Sequence, residues 1–169
     1  MPLVRRATKN DAAAILDITK RAFVIYKDNL KSDAPVAALS ETLPELVSVI
    51  SGGKVFVITG NDGIIIGTVR YDLLSDDLAY ISRFAVDPAV SSLGAGSDLL
   101  SHCIDDIHTS GCKAVALHTN SRYFKLARYY YGKEFFVHST DHSKGYIRAL
   151  FVKYFDPEVE VDITPALSK

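Results

Sequence analysis

The sequence predicts an α/β fold, with a mixed but mostly antiparallel central sheet of about seven strands and helices on both faces. Two observations carry this prediction. Short segments rich in β-branched residues follow one another as hairpins, which makes most neighbouring strands antiparallel. One strand–helix–strand segment, residues 78–119, instead requires a crossover between parallel strands. The resulting order along the chain is β-α-α-β-β-β-α-β-α-β-β.

Length and composition are those of an ordinary globular domain. The 169 residues are 48% hydrophobic and 23% charged, with a net charge of −1, so no global field would draw the chain to nucleic acid or to an anionic membrane. No apolar run approaches the roughly 18 residues that span a bilayer, and the first residues lack a signal-peptide core. Cys103 and Cys112 do not make a disulfide framework. We therefore expect a cytoplasmic protein with one domain, 1–155, and a short extended tail, 156–169.

The N-terminal third contains a short strand in "PLVRRAT" and two helices. Residues 10–26 show apolar side chains at helical spacing, with Asn10 or Asp11 as the N-cap. Residues 36–50 have a similar pattern, but Pro44 inside them indicates a kink or two short helices.

A hairpin follows, made of "VFVIT" and "IIIGTVRYDL" around the turn "NDG". The next strand, "LAYISRFAV", ends just before Pro88, and a helix over 94–108 then places Cys103 on its apolar face. The segment "CKAVALHT" is almost continuously apolar, as in strands buried on both faces. A helix over 122–131 and two strands, in "KEFFVHST" and "YIRALFVKYF", complete the fold.

Two glycines, Gly94 and Gly96, open the helix that follows "LAYISRFAV". Glycine there costs about 1 kcal/mol relative to alanine, so its presence needs a reason. A helix N-terminus presents unpaired N–H groups and a partial positive charge, which bind phosphate when no Cβ atom obstructs the approach. The pattern therefore predicts a phosphate site, although its spacing fits neither a Rossmann nor a Walker motif. The alternative is that both glycines only allow close packing of the helix on the sheet.

The chain from "VRRAT" to "FVKYF" resembles the GNAT superfamily of acyl-CoA N-acyltransferases. The resemblance rests on the element order and on "VDPAVSSLGAGSDLL", which matches the family's "V-x-P" and the last two glycine positions of its Arg/Gln-x-x-Gly-x-Gly/Ala loop. It implies that acetyl-CoA is the co-substrate, with its pyrophosphate on the loop amides and its pantetheine paired with the preceding strand. The implied binding residues are Phe84, Ala85, Val86, Ser91, Ser92, Leu93, Gly94, Ala95, Gly96 and Ser97.

Two serines depart from that loop pattern. The family has Arg or Gln at the position of Ser91 and usually Gly at that of Ser92. Hydroxyl groups still donate to phosphate, but a charge-assisted hydrogen bond is lost. We therefore expect weaker affinity for the coenzyme, or charge neutralisation by Arg122, Lys125 and Arg128.

The segment "HTNSRYFKLARYYYGKEFF" resembles the family's "N…A…Y-x-x-x-GF" pattern. The match implies that Asn120, Ala127 and Tyr130 also contact the coenzyme. Glu134 stands where the family has glycine, so we expect the tight turn either to be lost or to move to Gly132.

The same match makes Tyr130 the candidate general acid. A phenol that titrates at about pH 10 can protonate a departing thiolate whose thiol titrates at about pH 8.5. The alternative is that Tyr130 belongs to an aromatic packing stripe with Tyr129 and Tyr131.

The general base is less well defined. An alkylamine has a pKa of about 10.4, so only about one molecule in a few thousand is neutral at pH 7. The position that is often acidic in the family is Arg83, and the same strand offers Tyr80 and Ser82 as catalytic candidates. Our hypothesis is proton removal through ordered water, polarised by backbone carbonyls near these two residues. More distant options, expected in turns or on the surface, are Glu41, Asp76 and Asp77.

The five histidines lack metal-ligand spacing, so no metal is expected. His118, at the end of a strand, is expected to be structural or to line the cleft.

The predicted function is transfer of an acetyl group from acetyl-CoA to a primary amine of a small molecule or peptide, by direct attack on the thioester. One alternative, suggested by Ser91, Ser92 and Glu134, is an acyl-CoA-binding sensor without catalysis. Another is an RNA- or single-stranded-DNA-binding module, suggested by the basic and aromatic "RYFKLARYYYGK" but opposed by the slightly acidic net charge.

The acceptor amine would be read by residues 23–42 and 139–146. Asp28, Asp33 and Glu41 in this region would suit a cationic amine. A homodimer formed through the last strands or the tail is left open.

Overall fold

A mixed sheet organises the chain, which a computed structural model describes over residues 2–90 and 94–169. Its strands are β1 Leu3–Arg6, β2 Val55–Thr59, β3 Ile65–Leu73, β4 Leu78–Val86, β5 Ala114–Asn120, β6 Phe136–Asp141 and β7 Arg148–Tyr154. Within the described residues they form one seven-stranded sheet in the order β1-β2-β3-β4-β5-β7-β6. β4 and β5 are parallel, whereas β1–β2, β2–β3, β5–β7 and β6–β7 are antiparallel. The predicted mixed, mostly antiparallel sheet is confirmed.

The helices follow the predicted order. They are α1 Ala12–Leu30, α2 Leu43–Ser51, α3 Ala95–Thr109, α4 Phe124–Gly132 and a short α5 Thr164–Leu167. Pro44 lies in the first turn of α2, where its missing N–H costs no hydrogen bond, and a separate 3-10 turn spans Ala37–Leu39. The expectation of two short helices is therefore confirmed. Among the described residues, none of the helices combines the length and apolar composition needed to cross a membrane.

Both ends of α1 differ from the prediction. A 3-10 turn, Lys9–Asp11, precedes the helix with Thr8 as its N-cap, and the Asp11 carboxylate accepts a hydrogen bond from the Thr8 N–H at 2.7 Å. The predicted N-cap was therefore wrong, because Asp11 folds back onto Thr8 and also pairs with Arg5. The helix continues to Leu30, whose side chain is buried.

The first compact unit comprises Met1–Tyr26, Val36–Tyr71 and Arg83–Asp105. Its core forms where the apolar faces of α1 and α2 meet the strands β2 and β3 and the end of β4, because each helix repeats its apolar residues at the spacing of one helical face. The residues that define this core are Ala12, Ile15, Ile18, Leu46, Ile50, Val55, Val57, Ile65 and Ala85.

The second compact unit comprises Lys27–Pro35, Asp72–Ser82 and Asp106–Lys169. Its core combines Leu78 and Tyr80 of β4 with residues of β5 and β7, and it includes Val161, Ile163 and Ala166 from the C-terminal segment. The tail was predicted to be extended, but these three residues are buried. The short helix α5 forms at residues 164–167 and contains Ala166. Burial of this apolar surface explains the difference.

Candidate functional site

The predicted site residues fall in two groups, one in each compact unit. The first group lies at the end of β4 and the start of α3: Phe84, Ala85, Val86, Gly94, Ala95, Gly96 and Ser97. The second group is Tyr80, Ser82, Asn120, Ala127 and Tyr130. Ser91, Ser92 and Leu93 lie outside the described residues, so their roles stay predictions.

Gly94 forms the turn that leads into α3. Its φ is +71°, a left-handed conformation that disfavours any side chain, and no atom of residues 2–90 or 94–169 lies within 4 Å of the position a Cβ would take. The turn is exposed, and α3 begins at the next residue, Ala95. A ligand could therefore approach this main chain closely, which is the geometry that a diphosphate requires.

At position 96 a glycine is required for a different reason, which is close packing. A Cβ there would lie 3.2 Å from Val86 Cγ2 and 3.4 Å from Phe84 Cζ. The missing side chain lets the first turn of α3 pack closely on the end of β4. The packing alternative thus accounts for Gly96, and the phosphate interpretation depends mainly on Gly94.

A partly exposed ion pair holds the chain just after β4. Asp87 accepts hydrogen bonds from Arg21 Nη1 at 2.7 Å and Arg21 Nη2 at 3.0 Å, and from the Ala89 N–H at 2.9 Å. The hydrogen bonds from Arg21 hold the pKa of the Asp87 carboxyl below its usual range. The Asp87 N–H donates to Ile66 O at 2.8 Å, which fixes this segment on β3. The sequence analysis missed Arg21, because the partners are far apart along the chain.

Arg83 interrupts β4 with a φ of +52°. A non-glycine residue in this conformation is strained, and such strain is often found at functional sites. Arg83 also lines a cavity of about 210 Å³, together with Ala37, Ser40, Glu41 and Glu45. The sequence indicated no such strain.

Glu41 lies in the wall of that cavity and is buried, so its predicted place in a turn or on the surface was wrong. Arg70 Nη2 lies 2.7 Å from Glu41 Oε1, and Arg83 Nε lies 3.9 Å from the same oxygen. This carboxylate is therefore committed to the two arginines.

In the second unit, Asn120 at the end of β5 shapes the turn into α4. Its Oδ1 accepts a hydrogen bond from the Arg122 N–H at 3.0 Å, and its Nδ2 donates to Asn29 O at 3.4 Å. Ala127 is half-buried in α4. The candidate cations Arg122, Lys125 and Arg128 are exposed.

Tyr130 is buried in an aromatic cluster. Its ring contacts those of Tyr129, Phe135 and Phe151, with centroids 5.4, 5.8 and 5.5 Å away. Burial raises the pKa of the Tyr130 phenol well above its usual value, and Tyr129 contributes to the same effect. The hydroxyl therefore keeps its proton at neutral pH, as a general acid must, but its ring also has the packing role that the alternative described.

Glu134 keeps the tight turn in place. Its φ is +67°, and no left-handed conformation occurs at Gly132. The turn has therefore neither been lost nor moved, and a non-glycine residue tolerates the conformation at a cost of about 1–2 kcal/mol. The Glu134 side chain points to Lys153, with Oε2 2.9 Å from Nζ.

Tyr80 makes a specific contact across the parallel strands. Its hydroxyl lies 2.7 Å from His118 Nδ1, and His118 Nε2 lies 3.7 Å from Asp141 Oδ2. Asp141 is held in turn by Arg148 Nε, at 3.0 Å from Oδ1. The sequence analysis considered His118 but missed Asp141, which lies at the far end of β6.

The sequence profile of the acetyltransferase (GNAT) family matches residues 14–135. This range includes β4, the Gly94 turn and α3, together with β5 and α4. The chain belongs to the GNAT family of acetyltransferases, as the resemblance implied. Comparison with curated protein sequences finds no match.

Solved structures share the fold. The PaiA N-acetyltransferase from Thermoplasma acidophilum, in complex with coenzyme A, aligns with a TM-score of 0.77 at 15% identity over 92% of this chain and 99% of its own. The protein yncA from Salmonella typhimurium, with its cofactor acetyl-CoA, gives 0.76 at 19% identity over 96% and 98%. An N-acetyltransferase from Staphylococcus aureus Mu50 gives 0.74 at 17% identity over 92% and 99%. At these identities the similarity shows the fold.

Proposed function

We propose that this chain is an N-acetyltransferase that moves the acetyl group of acetyl-CoA to a primary amine of a small molecule or peptide. The observation that carries the proposal is the exposed left-handed conformation of Gly94 at the start of α3, where no described residue obstructs the main chain. Membership of the GNAT family and the two neighbours solved with coenzyme A or acetyl-CoA support the same conclusion. We also propose that it acts in the cytoplasm.

The main chain of residues 94–97 would hold the diphosphate, because N–H groups at a helix N-terminus bind anions. Residues 84–86 would pair with the pantetheine as an added strand. Asn120 and Ala127 are proposed as coenzyme contacts because they match the family pattern. The exposed cations of α4 would compensate the phosphate charge in place of the family's loop arginine. Acetyl-CoA, when bound, supplies the thioester that the amine attacks.

The proton transfers are assigned to two places. Tyr130 would donate its proton to the departing sulfur, since burial keeps the phenol protonated at neutral pH. The amine would lose its proton next to Tyr80 and Ser82 of β4. Glu41 is not proposed as the base, because it is already paired with Arg70.

Calorimetry with acetyl-CoA, followed by a free-thiol assay across a panel of amines, tests the proposal. We expect saturable binding and thiol release that requires an amine. Binding without release would indicate a sensor, and absence of binding would refute the proposal. Tight, salt-sensitive binding of a polynucleotide would instead favour the nucleic-acid alternative.

The role of Tyr130 is tested by Tyr130→Phe, which keeps the ring and removes the hydroxyl. We expect kcat to fall about 100-fold with little change in acetyl-CoA affinity, which is the usual size of a general-acid contribution. The control is Tyr131→Phe, because Tyr131 is 54% exposed. Equal kcat values for both variants would show that Tyr130 has only a packing role.

A further inference from the structure

A chain of polar groups connects Tyr80 to the edge of the sheet in the second unit. Tyr80 is paired with Ala116 across the parallel strands β4 and β5, and His118 lies two residues further along β5, on the same face. This register brings the Tyr80 hydroxyl within 2.7 Å of His118 Nδ1. This distance is that of an ordinary hydroxyl hydrogen bond.

The other nitrogen of His118 faces a carboxylate. Nε2 lies 3.7 Å from Asp141 Oδ2, and the His118 side chain is 5% exposed. Within the described residues Nε2 is buried and makes no hydrogen bond. A buried polar atom without a hydrogen bond is unusual in a folded protein and requires an explanation.

Asp141 is itself held rigidly. Arg148 Nε donates to both of its oxygens, at 3.0 and 3.1 Å, while Ser143 donates from its N–H at 2.9 Å and from its hydroxyl at 2.6 Å. Burial raises the pKa of the Asp141 carboxyl, but the hydrogen bonds from Ser143 and Arg148 outweigh it and hold that pKa well below its usual range. The group opposite Nε2 is therefore a carboxylate anion at any pH near neutrality.

This charge decides which nitrogen of His118 carries the proton. Burial lowers the pKa of His118 to about 4, with Arg148 adding to the effect, so the ring is neutral at pH 7 and has a single N–H. The carboxylate favours that N–H on Nε2, which leaves Nδ1 as the acceptor. The Tyr80 hydroxyl must then donate to Nδ1, and any further hydrogen bond to the Tyr80 oxygen is one that it accepts.

We propose that Tyr80, His118 and Asp141 form a proton relay that deprotonates the attacking amine. The inference rests on the proposed acetyltransferase function. It makes the Tyr80 hydroxyl, instead of ordered water, the first group to accept the proton of the amine. Tyr80 is the group that touches the amine, whereas His118 and Asp141 are positioning residues that act through it. The arrangement follows the logic of catalytic triads, in which a third group orients the base.

In the proposed step the amine nitrogen loses one proton and the sulfur gains one. A bond forms between the amine nitrogen and the acetyl carbon, the C–S bond breaks, and its electron pair leaves on sulfur. The Tyr80 oxygen takes one proton from the nitrogen while its own proton moves to His118 Nδ1. Tyr130 gives one proton to the sulfur. His118 then releases its proton to water and Tyr130 regains one, so the net change is amine plus thioester to amide plus thiol.

Other charged groups also act on His118. Arg148 of β7 and Lys144 of the β6–β7 turn disfavour its protonation, whereas Asp141 favours it. Lys169 Nζ lies 5.9 Å from the centre of the Tyr80 ring. Because burial and these two cations keep His118 neutral at pH 7, Nδ1 is available as an acceptor, and Asp141 stabilises the imidazolium while the proton passes.

The first test needs no acetyl-CoA. Long-range nitrogen–proton NMR of the full chain should show His118 as the Nε2–H tautomer at pH 7, with a pKa far below 6.5. In Asp141→Asn the Nδ1–H form should become populated and the pKa should fall further, because a favourable charge is lost. An Nδ1–H tautomer in the wild type would overturn the relay, whatever the protein catalyses.

The second test is the pH profile of kcat. We expect Tyr80→Phe and His118→Gln to lower kcat about 100-fold at pH 7, with the KM for acetyl-CoA unchanged. The acceptor for this test is an amine with a pKa below about 7, such as an arylamine, so that its own ionisation does not contribute to the profile. The kcat of His118→Gln should then rise from pH 7 to 9 as hydroxide replaces the relay, whereas that of the wild type should be flat. His108→Gln, an exposed residue in the last turn of α3 and outside the predicted acceptor segments, should match the wild type.

The outcomes separate the two proposals. If the wild type neither binds acetyl-CoA nor releases thiol, the proposed function fails, although the NMR test still decides the tautomer. If the wild type is active and both folded variants keep its kcat and pH profile, the relay fails and the acetyltransferase proposal stands.

Discussion

Replacing Gly94 by alanine separates conformational strain from ligand binding. The new Cβ would meet no atom of the described residues within 4 Å, so the only internal cost is the left-handed φ of +71°. That strain is about 1–2 kcal/mol for a residue with a side chain. It is partly offset by about 0.4–1 kcal/mol, because alanine reduces the entropy of the unfolded chain. We therefore expect a loss of about 1 kcal/mol, or about 2–4 °C in Tm for a chain of this length.

The effect on binding should be larger than the effect on stability. If the main chain at Gly94 holds the diphosphate, the Cβ would displace at least one charge-assisted hydrogen bond, which is worth about 1.5–3 kcal/mol. The Kd for coenzyme A should then rise about 10- to 100-fold. Isothermal titration calorimetry measures this change directly, and differential scanning calorimetry measures the change in Tm.

Gly53→Ala is the matched control. Gly53 has a φ of +74° and equally open surroundings, so its strain should be the same. It precedes β2, whose first residue, Val55, is paired with Arg70, whereas Asp87, directly after β4, is hydrogen-bonded to Ile66. Four residues along β3 are about 13 Å. Equal Kd values for the two variants would refute the reasoning about Gly94.

Three further predictions concern stability and pH. Lys31 follows α1 with a φ of +51°. Lys31→Gly and Lys31→Ala remove the same charge, but only the alanine variant keeps the backbone strain of about 1 kcal/mol. The Tm of Lys31→Gly should therefore be about 2–4 °C higher than that of Lys31→Ala, and equal Tm values would contradict this. Gly67→Ala would place a Cβ 3.0 Å from Ile58 Cγ2 and 3.2 Å from Ala85 O, and should cost about 1–3 kcal/mol in denaturant titrations. Gly132→Ala, which meets no atom of the described residues within 4 Å, should be neutral or stabilising by up to about 1 kcal/mol, and a loss equal to that of Gly67→Ala would be evidence against the packing argument. The hydrogen bond from Arg5 is the main cause that lowers the pKa of Asp11 to about 2, so the carboxylate stabilises the fold above its unfolded pKa and the effect disappears as the pH falls through about 2. The free energy of unfolding of the wild type should therefore drop more steeply between pH 5 and 2 than that of Asp11→Asn, and parallel pH profiles would rule this contribution out.

The sequence predicted most of the fold because its patterns are local. The strand "LAYISRFAV" coincides with β4, and the hairpin strands lie within one residue of their predicted bounds. Pro44 correctly indicated that the second helical segment is divided. The errors occurred where distant contacts decide the outcome: α1 continues because Leu30 is buried, and the tail folds because Val161 and Ile163 enter a core.

The candidate site was predictable only in part. The glycine pattern pointed to the turn before α3, but only the structure distinguished the backbone requirement at Gly94 from the packing requirement at Gly96. The strain at Arg83 and the burial of Glu41 had no signal in the sequence, since neither residue type indicates its own φ or depth.

By itself the sequence determined the order of helices and strands, the family, and the position of the glycine turn, since hydrophobic periodicity and turn residues act over a few neighbours. The tertiary structure alone decided which distant side chains meet: Arg21 with Asp87, Glu41 with Arg70, and Tyr80 with His118 and Asp141. The reason is that these contacts depend on strand register and on the packing of helices and loops against the sheet, which no single segment of the sequence specifies.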